Sequence, residues 1–380
     1  MRGTVEKYGN TWRIRYEAGV KPDGKRDQRS KAGFKTRREA ELALAEMQEQ
    51  IRQGIVQDVR KLTVGAYLDS WLLGKRKLRP STVRSYESHV RVYLKPLIGQ
   101  VRLAALRADH LDAMYDAIRA GNVGRKPSAS TVRRIHATLH SALHAAYKRR
   151  LISFNPAGQV ELETVERKPR AIWTPQELAT FLVHAATDRL GPAYHLVAFT
   201  GLRRGELCGL RWQDVDLDSG TLAVTQQHVE VGRQIHVGAP KTRAGVRVVA
   251  LDVASVDVLR KHKAAQNAER LSWGSGYQDH GLVFAREDGS PLRPEHVTRH
   301  FIELAEAAGV PRIVLHGLRH THATHALAAG VDMLVVSRRL GHSSLSLTAD
   351  TYTRVLPEVQ RQAAELVAAL MRQVPSSEHA

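Results

Sequence analysis

The chemistry-bearing residues of this chain gather in four short stretches of its C-terminal half. The first is TGLRRGELCGLRWQDVD, residues 200–216, in which a Thr-Gly pair suited to ending one helix precedes Arg203, Arg204 and Glu206 at the start of the next. A guanidinium at a helix N-terminus faces the same anion that the helix dipole attracts. The second is PKTRAGVRVVAL, residues 240–251, with Lys241 in a hairpin turn between two expected strands, alongside Arg243 and Arg247. A flexible ammonium in such a turn can reach a ligand. The third is LHGLRHTHATHALAAG, residues 315–330, where His316 and Arg319 stand three apart and so share a helix face. The fourth is LGHSSLSLTADTYTRV, residues 340–355, which puts Tyr352 ten residues after His342. A lone tyrosine there is either a core aromatic with a solvated hydroxyl or a nucleophile.

Taken together, these residue types suit attack on a phosphodiester. The diester's negative charge repels nucleophiles. Two planar guanidinium forks on its non-bridging oxygens neutralise charge that builds in a pentacoordinate transition state, a role for Arg203 and Arg319. A tyrosine hydroxyl has a pKa of about 10, so only ~0.1% is ionised near neutral pH, and neighbouring cations raise that fraction. Each residue also has an ordinary alternative: arginines serve as surface cations, which fits Arg204 best. Glu206 is expected to orient an arginine or cap a helix. His320, His322 and His325 are expected to pack or cap.

The elements that must position these groups can be read from periodicity. Residues 4–36 alternate as short strands, with Trp12, Ile14 and Tyr16 on one face and Arg13 and Arg15 on the other, and KTRREAELALAEMQEQIRQG follows as a helix. Residues 62–158 carry four helical patterns, with Lys75, Arg76, Lys77 and Arg79 before the second and Arg133 and Arg134 early in the fourth. Residues 160–171 are charged and unpatterned and read as a linker. TPQELATFL then opens a new domain, with Thr174 as N-cap, Pro175 at the first helical position and Glu177 three residues from the cap. Strands are expected at TLAVTQQHV, RQIHVGAP and VRVVAL, and helices beyond about residue 253. The amphipathic LPEVQRQAAELVAALMRQV is expected to pack on its own domain or on a neighbouring subunit.

Composition points to a polyanionic partner. The formal net charge is +19 over 380 residues. Residues 61–160 hold 18 Lys and Arg against 5 acids, whereas residues 161–380 hold 25 against 24, so the excess is localised rather than spread for solubility. A helical domain so charged should grip phosphates non-specifically and release them as salt rises. The single cysteine, Cys208, excludes an internal disulfide and a cysteine-cluster zinc site. No run of eighteen apolar residues or apolar signal core stands out, so a soluble, cytoplasmic protein is expected.

Arg203 in T-G-L-R, Lys241, His316 and Arg319 in H-x-x-R, His342 in L-G-H-S, and Tyr352, in that order, resemble the tyrosine recombinase or phage integrase family. The similarity is strongest over residues 170–356. Residues 62–158 resemble the family's helical core-binding domain, and residues 1–55 the sheet-and-helix arm-binding domain of larger integrases. The resemblance implies a multidomain α+β protein: an arm-type DNA-binding domain over residues 1–58, a four-helix core-binding domain over 62–159, and a mostly helical catalytic domain with a small antiparallel sheet over 170–380. It implies Tyr352 as nucleophile, Lys241 as proton donor to the leaving oxygen, His316 as an aid to proton transfer and His342 as a hydrogen-bond donor to a non-bridging oxygen. No metal, nucleotide or other cofactor is implied. The implied partners are double-stranded DNA attachment sites of core and arm type, three further copies in a homotetramer, and an excisionase or host DNA-bending protein at the nucleoid of a bacterial host. Two other classes compete. In a metal-dependent hydrolase, His316 and His320 would have metal-ligand spacing but lack a nearby Glu or Asp, and Tyr352 would be left idle. The other is a sequence-specific DNA-binding protein without chemistry. Type IB topoisomerases share the chemistry, but the two basic N-terminal modules favour site-specific recombination.

Overall fold

The computed structural model of the chain describes residues 3–20, 26–52, 61–75, 77–165 and 171–342, with scattered helical positions between 361 and 372. The chain divides into two compact units, Met1–Arg167 and Lys168–Ala380.

The first unit holds two separate cores. Gly3–Tyr8 (β1), Thr11–Val20 (β2) and Arg26–Phe34 (β3) form an antiparallel sheet in that order, covered by Arg37–Arg52 (α1). Ile14 is fully buried, with Trp12 and Tyr16 beside it, as the alternation requires. Arg13 and Arg15 lie on the opposite face and share Glu6, and the Arg13 guanidinium also lies over the Tyr8 ring. The second core is helical: Val64–Leu73 (α2), Pro80–His89 (α3), Lys95–Ile98 (α4), Ala108–Ala120 (α5) and Ala129–Lys148 (α6). The second of the four helical patterns is interrupted by a π turn at Val90–Leu94. Pro96 explains it, because it has no N–H for the carbonyl one turn back, and the ladder shifts to Lys95 N–H donating to Val90 O. Leu68, Leu94, Leu111, Ile135 and Leu139 are buried where these helices meet. Arg133 on α6 donates to the carbonyls of Leu162 and Glu163, so the start of the charged 160–171 stretch is tied to this unit. Arg76, in the basic cluster before α3, and residues 166–170 lie outside the described residues.

The second unit opens with Pro175–Ala185 (α7). Its N-terminus closes as the spacing demands: Glu177 N–H donates to Thr174 Oγ1 at 3.2 Å, and Thr174 N–H to Glu177 Oε2 at 2.7 Å. Gly191–Thr200 (α8) and Arg204–Cys208 (α9) follow, then Val215–Asp216 (β4), Thr221–Val224 (β5), Gln227–Val231 (β6), Gln234–Gly238 (β7) and Arg247–Ala250 (β8). Val253–Trp273 (α10), Pro294–Ala307 (α11), Leu315–Ala328 (α12) and Met333–Leu340 (α13) complete it. The main core is a cluster around Trp173, Phe181, Tyr194 and Phe301, with their rings at 4.9–6.0 Å, and a smaller cluster of Ala323, Leu327, Val336 and Leu340 joins α12 to α13. The strands differ from expectation. The first expected strand breaks at Thr225–Gln226 into β5 and β6. β6 pairs with β7 alone, while β8 pairs with β5 in the order β4-β5-β8. Lys241 therefore sits in a crossover between two sheets and not in a hairpin. Among the described residues no helix is long and apolar enough to cross a membrane.

Candidate active site

The site is built on helix ends. α8 stops at Gly201, which takes φ of +67° and lets the chain turn left-handed. A Cβ there would meet Leu340 Cδ2 at 2.4 Å, so glycine is also needed for close packing on α13. The turn delivers Arg203 as the N-cap of α9. Gly205 and Gly209 then let α9 lie directly on β6, since Cβ atoms at these positions would come within 2.7 Å of His228 O and 3.0 Å of Gln227 Cα. Arg203 is gripped at once by Glu206: its N–H donates to Oε2 at 3.0 Å and its Nη1 to Oε1 at 2.7 Å. Its Nη2 donates to Gly341 O at 2.8 Å. Arg204, one residue on, turns instead to Thr298 on α11.

Arg319 comes from the first turns of α12 and is 1% exposed. Its Nη1 donates to Gly201 O at 2.6 Å and its Nη2 to Leu340 O at 2.7 Å. The two arginines thus hold consecutive carbonyls, Leu340 and Gly341, at the end of α13, where Gly341 takes φ of +65°. This turn carries His342. Burial first, then the charges of Arg319, Arg203 and Arg247 and the neighbouring His316, pull the His342 pKa down to about 4. His342 is therefore neutral at physiological pH, with one ring N–H to donate. His316, three residues before Arg319, stands edge-on to His320 with ring centroids 4.8 Å apart. Arg203, Arg319, His316 and His342 thus form one electrostatic cluster.

Glu206 is 2% exposed and lies between two guanidiniums. Its Oε2 accepts from Arg247 Nη2 at 2.9 Å as well as from the Arg203 N–H. Burial alone would raise its pKa, but hydrogen bonding and charge from Arg247 and Arg203 outweigh it and hold the carboxyl below the usual range. The expected roles of Glu206, orienting an arginine and capping a helix, are both filled. Arg247 is the residue that motif reading passed over. It shares the inward face of β8 with the buried Val249, and a cation on the core side of a strand is the signal that could have found it. Lys241 is exposed on the crossover before β8. That crossover lies against the site, because a Cβ on Gly341 would sit 2.7 Å from Ala244 O.

Two other histidines of α12 tie the helix to neighbouring backbone. His322 Nδ1–H donates to Ala198 O at 3.0 Å, and His325 Nε2–H to Trp173 O at 2.9 Å. Burial, reinforced by Arg339, drops the His322 pKa to about 4. His320 is 6% exposed. Among the described residues no group of three His, Cys, Asp or Glu is disposed to hold a metal ion. Tyr352 and most of the last amphipathic segment lie outside the described residues. Chemically, the cluster gathers guanidinium and imidazole groups whose charge and hydrogen-bonding type suit the oxygens of one phosphate.

Residues 174–358 match the model of the phage integrase family, and residues 4–51 match an arm DNA-binding domain. A XerC-like tyrosine recombinase of Caldanaerobacter subterraneus subsp. tengcongensis is 29% identical over 355 residues, 87% of this chain and 89% of that protein. A Streptomyces ambofaciens integrase is 29% identical over 96% of this chain and 95% of its own length. Among solved structures, the Tn1549 transposon integrase in complex with transposon right-end DNA superposes with a TM-score of 0.69 at 19% identity, covering 81% of this chain and all of that one. A lambda integrase tetramer bound to a Holliday junction superposes with a TM-score of 0.58 at 19% identity, covering 92% of this chain and 95% of that one. Helix-end arginines converging on one turn, an N-terminal sheet module and these matches lead to one conclusion: the chain belongs to the phage integrase family of tyrosine recombinases.

Proposed function

We propose that this protein is a site-specific DNA recombinase that cuts and rejoins DNA through Tyr352. The convergence of Arg203, Arg319 and His342 on the Leu340–Gly341 turn carries this reading. The scissile phosphate sits against both arginines, which neutralise its non-bridging oxygens as the phosphorus becomes five-coordinate. Neutral His342 donates a hydrogen bond to one of those oxygens, and His316 assists proton transfer. Tyr352 Oη bonds to phosphorus while the bond to the 5′ oxygen breaks. The tyrosine proton is lost, Lys241 supplies one to the departing oxygen, and a 3′-phosphotyrosine link remains. The link keeps the bond energy, so the 5′-hydroxyl of a second strand reverses the step on a new partner. No step calls for a metal or a nucleotide.

The domain assignment belongs to the same proposal. Residues 1–58 hold arm sites, supported by the match over 4–51 and the Arg13–Arg15 face. Residues 62–159 and 170–380 grip core DNA, supported by the charge excess of 61–160. Four copies pair two sites, as the lambda integrase tetramer on a Holliday junction suggests. The protein integrates or excises a phage or other mobile element, aided by an excisionase or a DNA-bending protein, at the nucleoid of a bacterial host. The test is recombination in vitro between two DNAs carrying the element's attachment sites, in EDTA. Recombinant products with no nucleotide or metal added support the reading. Tight, specific binding with no strand exchange and no covalent intermediate supports a DNA-binding protein without chemistry.

A further inference from the structure

Arg247 is buried to 7% side-chain exposure, yet it contacts three separate pieces of the catalytic unit. Its Nη2 meets Glu206 Oε2 at 2.9 Å, its Nε donates to Arg339 O at 2.6 Å, and its Nη1 donates to Gly245 O at 3.0 Å. Arg339 closes the helix that ends at Gly341 and His342. Gly245 closes the crossover that carries Lys241, and a Cβ there would strike Pro240 Cβ at 2.6 Å, so the two ends of that short segment are packed on each other. Gly341 itself lies against Arg247, since its Cβ would sit 3.1 Å from Nη1 and 3.2 Å from Cδ. A guanidinium so buried must have partners for its donors, and here the partners are the frames of the catalytic groups.

We propose that Arg247 is a positioning residue for strand cleavage: it locks the Lys241 crossover and the His342 turn to Glu206, and so places the leaving-group acid relative to the arginine pair. This rests on Lys241 being that acid. All three of its nitrogens bond to groups that frame the site, on α9, on α13 and in the crossover itself. Lysine cannot replace it, because one ammonium on a flexible stem does not span three acceptors in fixed directions.

The experiment compares wild type, Arg247→Lys and Lys241→Ala on two half-site substrates at saturating DNA. One has the natural 5′ oxygen at the scissile phosphate, and the other has sulfur there. With sulfur, the P–S bond breaks and the thiolate, from a thiol of pKa about 8.5, leaves without a proton. Arg247→Lys keeps a cation beside Glu206, which favours folding. Expected is a cleavage rate reduced roughly tenfold or more on the oxygen substrate for Arg247→Lys, in line with loss of a positioned acid, with little change in DNA affinity. On the sulfur substrate most of that loss should disappear, as it should for Lys241→Ala. Hydrogen exchange of residues 239–246 and 339–342 should quicken together in Arg247→Lys. If Lys241→Ala is rescued by sulfur and Arg247→Lys is slowed equally on both substrates or not at all, the positioning role is overturned while the Lys241 assignment stands. If Lys241→Ala is not rescued, the Lys241 assignment falls and takes the proposal with it. Should Arg247→Lys fold too poorly for rates, unchanged relative exchange of the two segments against the α8 core would overturn the proposal.

Discussion

At the scale of single residues, the site depends on where charge is buried. Glu206 is a carboxylate almost without solvent, held ionised by two arginines. Removing one member of such a cluster strands the rest, at a cost of roughly 3–5 kcal/mol. Glu206→Ala is therefore expected to lower the unfolding free energy, read from denaturant curves, by an amount of that order and to reduce cleavage through Arg203. Because its carboxyl titrates lower folded than unfolded, this contribution is full above the unfolded pKa and is lost as pH falls through the folded one. His342 adds the same direction from another range. Its folded pKa of about 4 lies below an unfolded value near 6.5, so the unfolded chain takes up a proton first as pH falls. Stability should decline between about pH 6.5 and 4. In apo protein the His342 ring resonances should titrate in that low range, and DNA should move them upward, because a phosphate favours the charged ring. Titration near pH 6.5 in the free protein would contradict the buried geometry. Arg203→Ala and Arg319→Ala should each lower the cleavage rate by about 10²–10³, the usual effect of losing one charge-stabilising donor.

At the scale of elements, glycines decide whether the helices can meet. Gly201 and Gly341 both end helices with positive φ, and both face neighbours too close for a Cβ. Gly201→Ala is expected to cost more than about 1 kcal/mol in thermal or urea unfolding, from backbone strain and contact with Leu340 combined. A neutral substitution would mean that the α8–α13 contact is looser than described. This scale also shows how the sequence could and could not be read. The Thr174–Glu177 cap, the Trp12–Ile14–Tyr16 face and the helices of 62–158 were legible, because caps and periodicity act within a few residues. The Thr-Gly stop before Arg203 and the helix shared by His316 and Arg319 were legible as well. Strand pairing was not. β7 and β8 look like two arms of a hairpin in sequence, yet β8 joins β5, a choice made by burial of Val249 beside Leu222 and Val224. The role of Arg247 was hidden for the same reason: its partners lie 41 and 92 residues away.

At the scale of the whole molecule, charge and site divide the labour. Most of the excess positive charge lies in residues 1–160, ahead of the second unit. Affinity for non-specific duplex should therefore fall steeply with salt, by about 10³ or more between 50 and 200 mM if six or more phosphates are engaged. Removing residues 1–58 should leave cleavage of a core site intact and weaken only complexes that need arm sites. Loss of core cleavage on that truncation would contradict the division of domains. The central claim, that Tyr352 is the nucleophile, is tested most directly by trapping. DNA carrying the core site, nicked so that the cleaved strand diffuses away, is incubated in EDTA with wild type or Tyr352→Phe and run on a denaturing gel. The account expects a slow, protease-sensitive DNA–protein band with wild type and none with Tyr352→Phe, which should still bind. The same band from both proteins would contradict it.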